Sequence, residues 1–181
     1  VLFRSGEGAC YADLGTVFHS LGEYERAKEY LHKALVIITE IGDRNEEGTC
    51  YRNLSHVFQS LGEYNRAKEY VHKALVITTE IGDRKGEATD YGNLGIVFQS
   101  HGEYDKAKGY LYKALVITTE IGDRKGEGTC YEMLGHVHKS LGEYNKGKEY
   151  LHKALVITTE IGDRKEKGAC YANLRSEERR V

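Results

Sequence analysis

The chain has 181 residues, 40% hydrophobic and 30% charged, with 26 basic against 28 acidic side chains and a net charge of −2. The balance lacks the basic excess of a nucleic-acid-binding domain, and the absence of proline argues against both a loop-rich β-protein and a disordered linker. The longest apolar run, Ala34 to Ile38, is five residues, far short of a membrane span, and the opening residues do not read as a secretory leader.

One unit is copied along the chain. Gly-Glu-Tyr recurs at Gly22, Gly62, Gly102 and Gly142, and Ile-Gly-Asp-Arg at Ile41, Ile81, Ile121 and Ile161, always 40 residues apart. A frame set at Gly6 gives copies 6–45, 46–85, 86–125 and 126–165, with a partial copy at 166–174, and 21 of the 40 positions are identical in the four full copies. An uninterrupted array of one supersecondary unit is expected. The ends fall outside it. Residues 1–5 and 175–181 read as translated sequencing-library adapters, and the only methionine is Met133. Set aside as scars, they remove four basic and two acidic residues, which leaves a net charge of −4 and a window onto a longer natural protein.

Each copy reads as two helices, as the second copy illustrates. Asp43 supplies an N-cap oxygen and Glu46 completes a capping box. Cys50, Tyr51, Leu54, Val57, Phe58 and Leu61 then recur at steps of three and four, one face of a helix A of about 17 residues. Gly62 stops it. Helix B opens at Glu63 and carries Tyr64, Ala67, Tyr70, Val71, Ala74, Leu75, Ile77 and Ile81 over about 19 residues, until Gly82 ends it and Asp83 caps the next helix A. Turns this short make an antiparallel pair. A single pair cannot bury its own face but stacked pairs can, so the expected fold is an all-α solenoid of stacked antiparallel helix pairs.

The pattern Tyr11, Leu14, Gly15, Phe18, Gly22, Tyr24, Ala27, Tyr30, Leu31, Ala34 and Leu35 resembles the tetratricopeptide repeat across 6–174. Tyr11, Tyr51, Tyr91 and Tyr131 stand where the family usually has tryptophan, the proline after helix B is missing, and the period is 40 residues. That longer form is similar to the repeats of Pins-type adaptors, of kinesin light chains, and of large signalling proteins whose effector domain lies elsewhere. The resemblance implies a right-handed superhelix with a concave peptide-holding groove lined by the A helices.

The positions at which the copies differ most fall on one stripe of helix A. Repeat position seven holds Ala12, Arg52, Gly92, Glu132 and Ala172; position eleven holds Thr16, His56, Ile96 and His136; position fourteen holds His19, Gln59, Gln99 and Lys139. Their i, i+4, i+7 spacing puts them on one face, which, tolerating both signs of charge, is expected to be solvated. Position eight adds Asp13, Asn53, Asn93, Met133 and Asn173, whose asparagine amides both donate and accept. Drift at exposed positions and contact with a ligand both fit this variation; by the family geometry the stripe faces the groove. The family's carboxylate clamp is not matched: Arg52, Asn53 and Asn93 suit parts of it, but Gly92, Ile96, Glu132 and Met133 do not. Internal peptide segments are therefore expected rather than chain ends.

Other chemistry is thin. Cys10, Cys50, Cys130 and Cys170 occur once per copy without a Cys-x-x-Cys pair, and Asp90 replaces the third, so they read as small buried packers in a reducing, cytoplasmic setting. Glu132 and His136 could share a metal but form only half a site. His32, His72 and His152 read as surface residues. No nucleophile, base or glycine-rich elbow stands out, so no catalysis, cofactor or metal is expected. RNA binding is disfavoured because the stripe carries no stacking aromatic. The expected function is a protein-interaction scaffold that takes peptide segments, with no nucleic-acid or membrane partner; the alternative is a structural spacer. The sequence sets no oligomeric state.

Copy four departs at two core positions: His138 replaces Phe18, Phe58 and Phe98, and Gly147 replaces Ala27, Ala67 and Ala107. A mid-helix glycine costs about 1 kcal/mol against alanine, and histidine in a phenylalanine slot loses apolar burial. Copy four should open first. Hydrogen exchange resolved along the chain tests this, and equal protection of copies two and four would refute it.

Overall fold

The structure, a computed structural model, describes residues 2–162. Cys170, Ala172, Asn173, the partial copy 166–174 and the end segment 175–181 lie outside the described residues. The chain is an all-α solenoid whose described residues form eight helices and no strand: α1 Leu2–Ser20, α2 Tyr24–Ile41, α3 Arg44–Ser60, α4 Tyr64–Glu80, α5 Arg84–Ser100, α6 Tyr104–Glu120, α7 Arg124–Ser140 and α8 Tyr144–Glu160. Odd-numbered helices are the expected helix A, even-numbered ones helix B.

The boundaries fall where local chemistry puts them. Asp43 Oδ1 accepts the Glu46 amide at 3.1 Å, and Asp83 and Asp123 accept the Gly86 and Gly126 amides at 2.9 Å, satisfying amides that the helix leaves orphaned. Gly62 and Gly82, at φ 75° and 70°, adopt the left-handed conformation that closes each helix. Helix B runs 17 residues in α4, α6 and α8 rather than about 19. The chain leaves the helix at Ile81 because the Asp83 amide turns back to the Thr78 carbonyl at 2.9 Å.

The chain divides into two compact units, 1–86 and 87–181. In the first, α1 pairs with α2, α3 pairs with α4, and α2 packs on α3. The pairs close tightly because position ten of helix A is small: a Cβ placed on Gly15 would sit 2.5 Å from Leu31 Cγ. Copy two carries Ser55 at this place, with Val71 rather than leucine opposite, and both are fully buried. The added hydroxymethyl is matched by a shorter partner. Beside this crossing Tyr30 lies between Tyr11 and Phe18, with ring centroids at 6.0 and 5.1 Å, and Tyr70 between Tyr51 and Phe58 at 6.0 and 5.1 Å. Lys33 and Lys73 reach over the tyrosine faces at 5.2 and 4.9 Å, within cation–π range. Exposed His32 still makes a contact between copies, its Nε2 3.3 Å from the Tyr70 hydroxyl. Arg44 ties the start of α3 to Glu80 at the end of α4. Arg4, inside the segment set aside from the array, meets Glu40 in the same relation at 2.5 Å.

The second unit repeats the design. A Cβ on Gly95 or Gly135 would lie 2.6 or 2.8 Å from a side-chain carbon of Leu111 or Leu151. Tyr110 sits between Tyr91 and Phe98 at 6.2 and 5.1 Å, and Tyr112, in the place of the histidine, meets the Tyr150 hydroxyl at 2.8 Å. In copy four His138 fills the phenylalanine slot, stacked on Tyr150 at 5.1 Å. Its Nδ1–H donates to Glu143 at 2.7 Å, while its buried Nε2 has no hydrogen-bond partner. Gly147 lies in the same crossing, where an added Cβ would meet the Gly135 carbonyl at 3.1 Å. Asp90, fully buried, replaces the cysteine of the other copies.

Two expectations need correction at the first helix. Cys10 is exposed rather than a buried packer, whereas Cys50 and Cys130 are buried. The apolar face beside it behaves alike: Leu14 and Val17 are 40% and 52% exposed, while Leu54 and Val57 are fully buried. The sequence pattern is shared; the difference is that α2 covers α3, and no helix precedes α1 among the described residues.

The crossing makes a quantitative prediction. Gly95→Ala should cost about 1–3 kcal/mol through overpacking against Leu111. Gly95→Ser combined with Leu111→Val, the pair natural to copy two, should recover most of the loss of Gly95→Ser alone. A denaturation double-mutant cycle measures this coupling, and simple additivity would refute the account.

Candidate functional site

The variable stripe alternates with the packing face. On α3 Leu54, Val57 and Phe58 are buried, and Arg52, Asn53, His56 and Gln59 between them are half-buried. On α5 Leu94 and Val97 alternate with half-buried Gly92, Asn93, Ile96 and Gln99; on α7 Leu134 and Val137 alternate with half-buried Glu132, Met133, His136 and Lys139. On α1 Asp13 and Thr16 are exposed and His19 is half-buried. The stripe is thus partly sheltered rather than fully solvated. In the first unit the reason is visible: α1 and α3 approach across it, and His19 Nε2 lies 2.9 Å from Ser60 Oγ on the neighbouring helix A. Ala12 departs further. It is 8% exposed and belongs to a core cluster with Ala34, Ile38 and Cys50, so it presents no surface to a ligand.

Between α1 and α3 the stripe borders a cavity of about 100 Å³ lined by Gly15, Thr16, His19, Leu31, Asn53 and His56. Four of these were candidate residues by sequence; Gly15 and Leu31 were recognised only as packing. The same close crossing that excludes a Cβ at Gly15 leaves its outer side open. Thr16 Oγ1 donates to the Asp13 carbonyl at 2.7 Å, and Arg52 Nη2 donates to Thr49 Oγ1 at 3.0 Å. Burial, then His19 and Arg52, hold the His56 imidazole below its ordinary pKa. In the second unit His136 Nε2 stands 3.8 Å from Glu132, an acid beside the equivalent histidine.

Elsewhere the reactive groups are subdued. Burial pushes the Cys50 thiol up to about 12 and the Cys130 thiol up to about 11, far from the thiolate range of a nucleophile. Among the described residues no three His, Cys, Asp or Glu side chains are grouped to hold a metal ion, and no helix is long and apolar enough to cross a membrane.

A tetratricopeptide repeat family model matches residues 9–75 and again 56–120, and a second one matches 128–157. The chain belongs to the tetratricopeptide repeat family. No curated protein matches it significantly. Among solved structures this tetratricopeptide array is similar to BtubC (BKLC) from P. vanneervenii, at 25% identity and TM-score 0.76 over 86% of this chain and 65% of that one. It shares its fold with a Rap protein complexed with competence and sporulation factor, at 18% identity and TM-score 0.79 over 96% and 54% of the two chains. It also shares its fold with a kinesin light chain-like protein from Podosopora anserina with nearly identical TPR-like repeats, at 14% identity and TM-score 0.71 over 97% and 96%. The array thus spans less than two thirds of BtubC and of the Rap protein.

The depressed His56 pKa fixes a pH dependence. The folded state resists a proton that the unfolded chain accepts below about pH 6.5. The stability held above that pH is therefore lost as the pH falls towards the folded value. His56→Gln should be less acid-sensitive than the parent when urea midpoints are compared at about pH 7.5 and about pH 5.5; parallel losses would refute this.

Proposed function

We propose that the array is a protein-interaction scaffold whose A-helix face binds peptide segments of partner proteins without covalent chemistry. The observation that carries this reading is the alternation on α3, α5 and α7: half-open side chains, most of them polar and most differing between copies, sit among buried leucines and valines that do not differ. A position under packing constraint alone would be buried or uniform, and one under no constraint would be open. In this reading Asn53 and Asn93 hold the peptide backbone, each amide giving one donor and one acceptor, while Arg52, His56, Gln59, Ile96, Gln99, Glu132, His136 and Lys139 select side chains. Asp13, Thr16 and His19 form the rim. No residue is assigned a catalytic role. The Rap protein of similar fold, solved with a bound factor, supports the reading by analogy of architecture alone. The buried free thiols of Cys50 and Cys130 suit a cytoplasmic location.

The test is a random-peptide display selection on the immobilised chain, repeated with the Arg52→Ala, Asn53→Ala, Asn93→Ala triple variant after its helicity is shown to be unchanged. Enriched peptides should bind the variant at least about fivefold more weakly, since losing hydrogen bonds to one charged and two polar groups costs about 1–3 kcal/mol. Equal binding, or no enrichment with either protein, would overturn the groove and favour a spacer whose copies set length.

A further inference from the structure

The cavity between α1 and α3 has polar walls of one kind. Its floor is Leu31 and Gly15, and Thr16 and His19 from α1 face Asn53 and His56 from α3. Arg52 stands one helical turn before His56 on the same helix. No carboxylate lines the cavity. Asp13, one turn before Thr16 on α1, is exposed and is not part of the lining. We propose that this cavity is a proton-coupled pocket for one carboxylate-bearing side chain, Asp or Glu, of a bound peptide. The inference rests on the peptide-groove reading of the A-helix face and adds the chemistry of one subsite.

Size and donors point the same way. A cavity of about 100 Å³ exceeds what one water needs and has room for a carboxylate. A carboxylate only accepts, and the Asn53 amide and the imidazole N–H groups can donate, while the Thr16 hydroxyl hydrogen is held by the Asp13 carbonyl. His19 is already oriented by Ser60 at 2.9 Å, which lowers the ordering cost of using it. The coupling to protons follows from charge. In the free chain burial, His19 and Arg52 all disfavour a proton on His56; an anion seated among them favours it. The complex takes up a proton that the free chain resists, so affinity rises as pH falls, by at most about tenfold per pH unit for one proton. A neutral amide side chain supplies no such charge. The corresponding place in the second unit differs in charge: Glu132, at the position of Arg52, stands 3.8 Å from His136.

The experiment titrates the full chain with two blocked peptides, acetyl-Ser-Ala-Asp-Ala-Ser-amide and its Asn counterpart, at about pH 6 and about pH 7.5, following His19 and His56 ring resonances by NMR. The expected result is that the Asp peptide shifts both rings and binds about three- to tenfold more tightly at the lower pH. The Asn peptide should bind more weakly and without pH dependence. His56→Gln should keep the preference for Asp through Arg52 but lose most of the pH dependence. If both peptides bind alike at both pH values, the acidic pocket is overturned and the groove stands. If neither moves the ring resonances, the pocket is likewise overturned, and the groove stands or falls by the display selection alone.

Discussion

Each helix pair hangs on one close approach. Helix A presents a residue without bulk, Gly15, Gly95 or Gly135, to a leucine of helix B, with less room between them than a methyl group requires. Burial of that leucine, complete at Leu31 and Leu111, needs the backbone of the partner helix, because no side chain is there to cover it. Once the axes are this near, alanines must follow on helix B at Ala27, Ala67 and Ala107. The tyrosine one residue before the leucine, such as Tyr30, then falls between the rings of Tyr11 and Phe18. Turns of two or three residues suffice because the helices are already side by side. The stripe of variable residues is a by-product of the same geometry: it is the strip of helix A left over once one side has gone to helix B and another to the neighbouring copy.

The four copies act as a mutational series within one chain. Copy one shows what the pattern looks like with a face uncovered, since Leu14 and Val17 are exposed where Leu54 and Val57 are buried. Copy two exchanges a glycine–leucine contact for serine–valine without opening a gap. Copy four puts an imidazole into an aromatic stack and keeps its geometry, at 5.1 Å and 12°, but leaves a buried nitrogen without a partner. Ring stacking is indifferent to the nitrogen; desolvation is not.

The period, the helix pairs, the aspartate caps and the glycine stops were all legible in the sequence, because each depends on residues within one turn or at one fixed offset. So was the spacing of the stripe, which needs only the helical period, although Ala12 within it lies in the core. Degree of exposure was not. Arg52 and His56 were expected in water and are sheltered, because the shelter comes from α1, the preceding copy's helix A, rather than from their own neighbours in sequence. Ala12 and Cys10 were misplaced for the same kind of reason in opposite directions: the first is roofed by Cys50 and Ile38, the second lacks the roof that Cys50 has. The cavity was invisible for a further reason, since Gly15 and Leu31 bear no chemical mark beyond size. A repeat pattern reports what each unit contains, whereas exposure is decided between units.

The Ser55–Val71 pair has a consequence at the level of heredity. Copies this alike invite recombination out of register, which deletes or duplicates whole units and leaves a hybrid at each joint. A breakpoint outside the stretch from 55 to 71 keeps serine with valine or glycine with leucine, and the shortened or lengthened array packs as before. A breakpoint inside that stretch, between copy two and any other, joins serine to leucine or glycine to valine, one crowded and the other hollow. The chain can therefore change its number of copies freely only by cutting at certain places, and a contact between two side chains sets where its gene can be spliced.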